Sequence, residues 1–422
     1  MKKSDYDIIF IGGGYRAVSF IASNPDLLSF KIAIIEERSS LGPGAYADLI
    51  GCTNSAGSSF FKHIDRNGPF GWIFQGEHSR VSCSPSPVQL SDLSATLSAL
   101  GATITRQVGI TNCLTGSRVA SIEVAGAASE FSDVYLDTGV CLQGKFIVLA
   151  TGRHEIPNRE LVRWKSKTLV SSCVLSRSYQ PCLRRRLCTL GDTAVVVAGA
   201  SHSAFAAALH VLSLAASMRH SGGGFRAQEI IFIHRGDFRV FHTSLSAWEA
   251  LEVREGLENV DVSRHVCPQT GNVFRDTGLR HRARELCLSM LKGTQAAVRH
   301  HRVSRLANAR QDFENAGLII QALGYKGRYP AIRAKNGEVR RLGHSYHPTY
   351  DARGFLLDPS EVRLGMIAAL RPDPTPKCLQ DSGVYGRDLY ERLGDELRQS
   401  ILPTSPANTD PFACGRKLSQ PS

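Results

Sequence analysis

The stretch DIIFIGGGYRAVSFIAS, residues 7–23, joins an apolar run to consecutive glycines and then to apolar residues at helical spacing. This pattern predicts a buried strand that turns at once into a helix. Gly12, Gly14 and Ala17 stand at the spacing G-x-G-x-x-A, and the free N–H groups at the start of such a helix can bind a pyrophosphate. A single match of this kind has two interpretations, a dinucleotide site and a glycine-rich turn that binds no ligand.

The next apolar run, KIAIIEE at residues 31–37, predicts a second buried strand that ends in acidic residues. A carboxylate at this point of a βαβ unit can accept hydrogen bonds from the ribose of an adenosine. Either Glu36 or Glu37 could do so. The glycine motif and the acidic strand end together favour the dinucleotide interpretation over the plain turn.

Composition sets the broad class of the protein. The chain has 422 residues, of which 42% are hydrophobic and 21% charged, as in an ordinary soluble globular protein with more than one domain. The formal net charge is +12, but the basic residues are scattered, and the densest run is RRR at 184–186. We therefore attribute the charge to attraction for anionic cofactors and expect no nucleic-acid binding.

Other features indicate a cytoplasmic protein with no membrane span and no metal. The longest uncharged stretch, SHSAFAAALHVLSLAASM, contains histidines and serines, as expected of a buried helix. The 11 cysteines form no C-x-x-C pair, which favours reduced thiols over disulfides, a zinc site or a redox-active pair. The pairs His344/His347 and His300/His301 lack further ligands at zinc spacing, so we interpret them as ordinary surface or loop histidines.

A second copy of the opening pattern occurs in TAVVVAGASHSAFAAALHVL, residues 193–212. The apolar run leads into Gly199, Ser201, His202 and Ser203, and an alanine-rich helix follows. Ser201 replaces the second glycine, but its small hydroxyl can donate a hydrogen bond to phosphate. Two copies in one chain predict two dinucleotide sites.

The strand predicted after that helix, EIIFIHR, ends in a basic residue where the first unit ends in an acidic one. The guanidinium of Arg235 could bind a ribose 2′-phosphate that a carboxylate would repel, and Arg239 could share or take over this role. The second site is therefore predicted to prefer NADPH. A plain surface arginine is the alternative interpretation of Arg235.

Two matching segments predict how the units are connected. GKFIVLATGRHEIP and AGLIIQALGYKGRYP each place an apolar strand before an Ala-x-Gly turn, at 150–152 and at 322–324. These are the points at which the chain would leave one domain and return to it, so we predict an α/β protein with two Rossmann-like dinucleotide-binding domains, the second, NADPH-binding one inserted into the first. The expected divisions are 1–155 (outer domain, first part), 156–318 (inserted NADPH domain), 319–400 (outer domain, second part) and 401–422 (a disordered tail). A terminal amphipathic helix is predicted in GRDLYERLGDELRQSIL.

The order of these motifs resembles the two-dinucleotide-domain flavoproteins, in particular the NADPH-dependent flavin monooxygenases that include the amine N-hydroxylases. GASHSA is similar to the GGGQSA of that family, with His202 in place of glutamine, and FFKHIDRNGPFGWIF is similar to its flavin-side segment. GPGAYADLIGCTNSAGSSF also resembles a broader group of bacterial FAD- and NAD(P)-binding proteins. The resemblance implies FAD in the outer domain, which makes 1–155 and 319–400 the two parts of an FAD domain, and NADPH in the inserted domain. It also favours Glu36 as the ribose ligand, because a glycine turn, at Gly42, follows at the spacing usual in flavoproteins.

The resemblance also implies a set of flavin neighbours. Its members on the early loop are Gly44, Tyr46, Asn54 and Lys62, and the later ones are Gly152, Gly365 and Met366, the last two at a predicted strand-to-helix turn. For Tyr46 and Lys62 a purely structural role is equally open.

The implied reaction is monooxygenation of a small molecule by O₂ through a flavin hydroperoxide, with N-hydroxylation of an amine or amino acid as the expected form. Because the second Ala-Thr-Gly is Ala322-Leu323-Gly324 and the family's substrate residues have no clear counterpart, the sequence predicts the cofactors but not the substrate, the catalytic residues or the oligomeric state. Two other functions stay open, an NADPH oxidase or reductase without an organic substrate and a non-catalytic dinucleotide-binding regulator.

Overall fold

The structure is a computed structural model that describes residues 4–125, 130–191, 193–220, 229–268, 270–275, 277–334, 349–370 and 382–401. His344, His347 and the predicted tail from residue 402 onward lie outside these ranges. The strands are β1 Ser4–Ile11, β2 Ile32–Glu36, β3 Cys52–Ala56, β4 Pro87–Gln89, β5 Cys113–Thr115, β6 Val119–Glu123, β7 Ser132–Leu136, β8 Cys141–Leu149, β9 Arg153–His154, β10 Thr168–Val170, β11 Val195–Ala198, β12 Ile230–His234, β13 Val298–Arg302, β14 Leu318–Gln321, β15 Lys326–Gly327, β16 Ala331–Arg333, β17 Thr349–Tyr350, β18 Phe355–Leu357 and β19 Arg363–Ala369. The α-helices are α1 Tyr15–Ser23, α2 Ser79–Ser82, α3 Leu90–Val108, α4 Ser171–Val174, α5 Gln180–Cys188, α6 His202–His220, α7 Leu245–Glu249, α8 Val262–His265, α9 His281–Leu291, α10 Arg310–Asn315 and α11 Ser382–Ile401.

The outer domain is built on a mixed sheet with the order β16-β6-β7-β8-β1-β2-β5. Its centre is parallel, since β1 pairs in parallel with both β2 and β8. The first half of β8 is antiparallel to β7, and its last residues pair in parallel with β19. Every residue of β2 is buried, as expected for a parallel strand that is covered on both faces.

The two faces of this sheet have separate apolar cores. One core joins Phe10 and Phe146 of the sheet to Phe20 of α1 and Leu97 of α3. The opposite core joins alternate residues of the same strands to β6, β7 and β18. The N-terminal segment of the sequence therefore folds as the predicted strand, turn and helix, with the turn at one edge of a buried sheet.

The inner domain has an all-parallel sheet with the order β10-β14-β11-β12-β13. Helix α6, the apolar helix predicted from the second motif, covers one face, where Phe205 stacks on Phe232 at a ring-centroid distance of 4.4 Å. The other face packs against Trp164 and Phe313. No helix among the described residues is long and apolar enough to cross a bilayer.

The two domains are joined by a short antiparallel ribbon of β9 and β15. The predicted boundary at 318/319 falls inside β14, so it has to move toward the C-terminus. Residues Leu318–Gln321 pair with β11 of the inner sheet. Near the other crossing, the side-chain amide of Gln321 donates a hydrogen bond to the carbonyl oxygen of Ile156 and accepts one from the N–H of Asn158. The inner domain thus keeps β14, and the chain returns to the outer domain after Gln321.

The predicted C-terminal amphipathic helix forms α11, which packs against the back of α1. Tyr390 meets Phe20 edge to face at 5.3 Å and donates a hydrogen bond to the carbonyl oxygen of Arg16. The Asn24 side chain donates to the carbonyl oxygen of Tyr390. Helix α11 therefore supports the helix that follows the first glycine motif.

Candidate cofactor sites

A cavity of about 950 Å³ opens at the C-terminal edge of the outer parallel sheet. Its wall contains most of the residues predicted to contact FAD: Gly12, Gly14, Glu36, Gly44, Tyr46, Asn54 and Gly152. Ligands of doubly wound sheets bind at this edge because the loops there converge from several strands. The structure thus brings the scattered predicted residues to one place.

The turn from β1 to α1 needs its glycines for close packing. Gly12 has φ +97°, and a β-carbon on it would lie 2.4 Å from the carbonyl oxygen of Ala150. A β-carbon on Gly13 would lie 2.3 Å from the Leu41 side chain, whereas one on Gly14 would be in ordinary van der Waals contact, 3.4 Å from the α-carbon of Gly44. Helix α1 has neither a side-chain cap nor an acidic residue in its first turn, so its N-terminal N–H groups are available for an anion.

Glu36 is the acid that the fold holds in the cavity wall. It is 7% exposed, and its carboxylate accepts hydrogen bonds from the N–H groups of Gly13, at 2.6 Å, and Arg38, at 2.9 Å. Glu37 is exposed and instead pairs with Arg328 at 2.8 Å. The geometry therefore favours Glu36 as the ribose ligand, because its position is fixed by a hydrogen bond from the glycine turn itself.

The early loop contributes an aromatic wall. Tyr46, Tyr15 and Phe60 meet pairwise with ring centroids 5.2 to 6.2 Å apart, and both tyrosines line the cavity. Asn54 also lines it. Lys62 is exposed and lies outside the lining, so a flavin-side role for it stays a prediction with less support than those of Tyr46 and Asn54.

Gly365 and Met366 do not form the predicted strand-to-helix turn. Both lie inside β19, which continues to Ala369 because its last residues pair with β8. Gly365 has φ +59°, and a β-carbon there would lie 2.9 Å from Val124, so the glycine serves packing within the sheet. The turn prediction is wrong, and it is Leu370, just after the strand, that lines the cavity.

Ala17 and Gly152 differ in their relation to the cavity. Ala17 is fully buried in α1, where its small side chain allows the helix to pack closely on the sheet. Gly152 has φ +71° with open space around its α-carbon, and it lines the cavity.

The cavity wall also contains arginines that no sequence motif predicted as ligands. These are Arg16, Arg38, Arg118, Arg153 and Arg328. A signal existed for two of them, since a basic residue follows each Ala-x-Gly crossing in ATGR and ALGYKGR. This concentration of positive charge suits a ligand with phosphate groups.

The inner motif repeats the geometry of the outer one. Gly199 has φ +136°, and a β-carbon on it would lie 2.2 Å from the carbonyl oxygen of Ala322. Its N–H donates to the carbonyl oxygen of Ile233 at 2.9 Å, as that of Gly12 does to Ile35 at 2.8 Å. The same strand-turn-helix unit thus occurs twice, and in each the chain crosses between domains beside the first glycine.

The first turn of α6 presents small polar side chains. The hydroxyls of Ser201 and Ser203 lie 3.0 Å apart, and the ring Nε2 of His202 lies 3.0 Å from the carbonyl oxygen of Gly278. Burial lowers the pKa of His202, and the neighbouring charges of Arg280 and His281 lower it further. His202 is therefore neutral at pH 7, and it fixes the Gly278 loop beside the helix N-terminus.

The two candidate 2′-phosphate ligands have different surroundings. Arg239 forms a bidentate pair with Glu258, at 2.6 and 3.0 Å, so its charge is already balanced. Arg235 is exposed at the end of β12, and within the described ranges its side chain has no acidic partner. This contrast favours Arg235 as the phosphate ligand.

Metal and disulfide chemistry find little support in the described part of the chain. No group of three or more His, Cys, Asp or Glu side chains there is arranged to hold a metal ion. The described cysteines are free thiols.

No protein-family model matches the chain, and no curated protein matches it in sequence. Solved structures do match over nearly its full length. The ornithine N-hydroxylase of Kutzneria sp. 744, with reduced FAD, NADP⁺ and L-ornithine, is 13% identical with a TM-score of 0.59, covering 94% of this chain and 99% of that chain. The ornithine hydroxylase of Pseudomonas aeruginosa in its reduced form is 12% identical with a TM-score of 0.59 and the same coverage.

A cyclohexanone monooxygenase mutant from Rhodococcus sp. Phi1 bound to NADP⁺ is 10% identical, with a TM-score of 0.56 and 86% of that chain covered. The chain therefore has the two-dinucleotide-domain fold of the flavin monooxygenases. The predicted α/β class and the predicted resemblance are confirmed at the level of fold.

Proposed function

We propose that the protein is an FAD-dependent, NADPH-consuming monooxygenase that acts on a small molecule by N-hydroxylation of an amine or amino acid. One observation carries this proposal. The cavity of about 950 Å³ contains the glycine turn, the acidic strand end and the early loop of the first motif, and it extends to both crossings that lead to the second motif.

The residues of the outer cavity suit the adenosine diphosphate half of FAD. The N–H groups at the start of α1 would bind the pyrophosphate, and Glu36 would accept hydrogen bonds from the adenosine ribose. When bound, the flavin would supply the two-electron and oxygen chemistry that no side chain of the protein offers.

The protein's own contribution is binding, orientation and exclusion of water. Tyr15, Tyr46 and Phe60 would cover the apolar part of the cofactor. Ser201 and Ser203 would donate to the phosphates of NADPH at α6, and Arg235 would bind the 2′-phosphate. The Asn54 side chain, which lines the cavity from β3, would exchange hydrogen bonds with the polar edge of the flavin.

The proposed overall reaction consumes one O₂, one NADPH and one proton for each N–H bond that is hydroxylated. One oxygen atom enters the amine, the other leaves as water, and NADPH supplies two electrons. Two of the matched structures are ornithine hydroxylases, which makes amino acids with a side-chain amine the first substrates to test.

The test measures three quantities with FAD-loaded protein: NADPH oxidation, O₂ consumption and hydroxylamine formation, over a panel of amines and amino acids that includes L-ornithine. The proposal expects at least one compound to give hydroxylated product in equal amount to the NADPH oxidised. NADPH oxidation that yields only hydrogen peroxide with every compound would instead establish the oxidase alternative. No NADPH oxidation at all would indicate the non-catalytic regulator.

A further inference from the structure

The loop that forms one wall of the outer cavity is also attached to the inner domain. Gly44, Tyr46 and Leu49 line the cavity. Asp48, in the same loop, faces the turn between α4 and α5 of the inner domain. One short segment thus contacts both the proposed flavin site and the domain that carries the second motif.

Asp48 is held by an unusually complete set of hydrogen bonds. Its carboxylate accepts from the hydroxyls of Ser176 and Ser178, at 2.5 and 3.0 Å, and from the N–H of Ser178 at 2.9 Å. Its backbone carbonyl accepts from the N–H of Arg177 at 2.6 Å. Burial raises the pKa of Asp48, but the hydrogen bonds from Ser176 and Ser178 outweigh it and leave the pKa below its ordinary value. The carboxylate is therefore ionised at pH 7, the form that accepts these bonds best.

The backbone continues this contact on both sides of Asp48. Leu49 and Ser176 form an antiparallel bridge, and the N–H of Ile50 donates to the carbonyl oxygen of Leu175 at 2.9 Å. The ribbon of β9 and β15 connects the domains covalently, and this contact is a second, non-covalent attachment close to the cavity. Together, the ribbon and the Asp48 contact fix the orientation of the inner domain relative to the outer one, which the two linking segments alone would leave variable.

We propose that Asp48 is a positioning residue that holds the inner domain, through Ser176 and Ser178, at the distance and angle from the cavity that reduction of the bound flavin by NADPH requires. The inference rests on the proposed function. In the step concerned, NADPH would transfer a hydride, one proton with two electrons, to the bound flavin, leaving NADP⁺ and the anionic reduced flavin. Misplacement of two reacting groups by about 1 Å can slow such a step by about a hundredfold, whereas binding of each cofactor to its own domain is left intact.

The test compares Asp48→Ala and the double variant Ser176→Ala/Ser178→Ala with the wild type and with Asp26→Asn, an exposed acid elsewhere in the outer domain. For each protein we would measure the flavin content and the dissociation constant for NADP⁺. We would also measure two rates under anaerobic conditions, the limiting rate of flavin reduction by NADPH and the rate of flavin reduction by dithionite. We expect the NADPH rate to fall about tenfold to a hundredfold in both Asp48→Ala and the double variant. Flavin content, NADP⁺ affinity and the dithionite rate should stay within about twofold, and Asp26→Asn should match the wild type.

The triple variant Asp48→Ala/Ser176→Ala/Ser178→Ala completes the cycle, since the effects of substitutions that break one shared contact are not additive. Its rate of flavin reduction by NADPH should be no lower than that of the slower of its two parents, Asp48→Ala and Ser176→Ala/Ser178→Ala. Hydrogen exchange gives a readout independent of turnover, because the N–H groups of Arg177, Ser178 and Ile50 should lose protection in Asp48→Ala. Loss of this protection with an unchanged NADPH rate would overturn the inference, as would loss of bound flavin in the variants. A wild type that binds FAD but is not reduced by NADPH would overturn the proposed function and the inference with it.

Discussion

Gly199 lies against the backbone carbonyl of Ala322 in the way that Gly12 lies against that of Ala150, and a β-carbon on either glycine would come within 2.4 Å of the facing oxygen. The two residues of each pair belong to a glycine motif and to a crossing between domains. Each crossing can therefore pass directly beside the glycine turn only because the first motif residue has no side chain.

Substitution of Gly199 by alanine should damage the inner domain alone. The new β-carbon would overlap the Ala322 carbonyl, and φ +136° is unfavourable for any other residue, so the free energy of unfolding should fall by at least about 2 kcal/mol. Gly293→Ala is the matched control, because Gly293 has φ +70° in the same domain but open space around it, and it should cost about 1 kcal/mol. Thermal unfolding with and without NADP⁺, together with flavin content, tests this. Loss of flavin from Gly199→Ala would show that the two sites are not separate.

The two acids at the end of β2 should differ in their effect on FAD. Glu36→Gln removes the charge from a carboxylate that accepts bonds from Gly13 and Arg38, and it should weaken FAD binding by about 1.5 to 3 kcal/mol, or tenfold to a hundredfold. Glu37→Gln breaks only the exposed pair with Arg328 and should cost less than about 1 kcal/mol. Titration of the apoprotein with FAD measures both. An equal loss in the two variants would contradict the assignment of Glu36.

Coenzyme preference should depend on Arg235. Arg235→Ala should weaken the binding of NADPH by about 1.5 to 3 kcal/mol and leave the binding of NADH nearly unchanged, because the lost hydrogen bonds go to the 2′-phosphate, which NADH lacks. Arg239→Ala breaks the pair with Glu258 and should lower stability more than coenzyme preference. The ratio of flavin reduction rates at limiting NADPH and NADH, at fixed ionic strength, is compared for both single variants and the double variant. If all three kept the wild-type ratio, the basic strand end would not bind the phosphate.

Acid should destabilise the inner domain through His242. This residue is 4% exposed, and burial, followed by the charge of Arg284, lowers its pKa to about 4. A histidine with a folded pKa below its unfolded value binds more protons when unfolded, so its contribution to stability is complete above about pH 6.5 and falls as the pH approaches 4. Between pH 7 and pH 5 the loss should be about 2 kcal/mol. Urea unfolding at both pH values gives the free energy of unfolding. Its decrease from pH 7 to pH 5 should be smaller for His242→Asn than for the wild type, and equal decreases would rule out this role.

Local patterns predicted the parts of the fold that depend on a few consecutive residues. The strand, turn and helix around Gly12 and the copy around Gly199 both form as predicted, since each places its glycine where a backbone must approach. Glu36 could be favoured over Glu37 from the spacing to Gly42, and its bond to Gly13 supports that choice.

Features that depend on contacts between residues far apart in the chain could not be predicted from local sequence patterns. Gly365 and Met366 lie in a strand because β19 pairs with β8, a pairing that no local pattern shows. The bonds from Ser176 and Ser178 to Asp48 join segments far apart in the chain, and these serines stand in no motif. The bidentate pair between Arg239 and Glu258, which distinguishes Arg239 from Arg235 as a candidate phosphate ligand, is likewise a contact that no motif shows.

The central claim is that FAD bound in the outer cavity receives electrons from NADPH bound at the inner domain. Its most direct test is the absorption spectrum of the reconstituted, flavin-loaded protein under anaerobic conditions after addition of equimolar NADPH, with the released flavin identified afterwards. The account predicts that the flavin is FAD, that its visible absorbance is lost on addition of NADPH, and that the absorbance returns when air is admitted. Protein that takes up no flavin, that carries FMN, or that dithionite bleaches while NADPH leaves it unchanged would contradict the account.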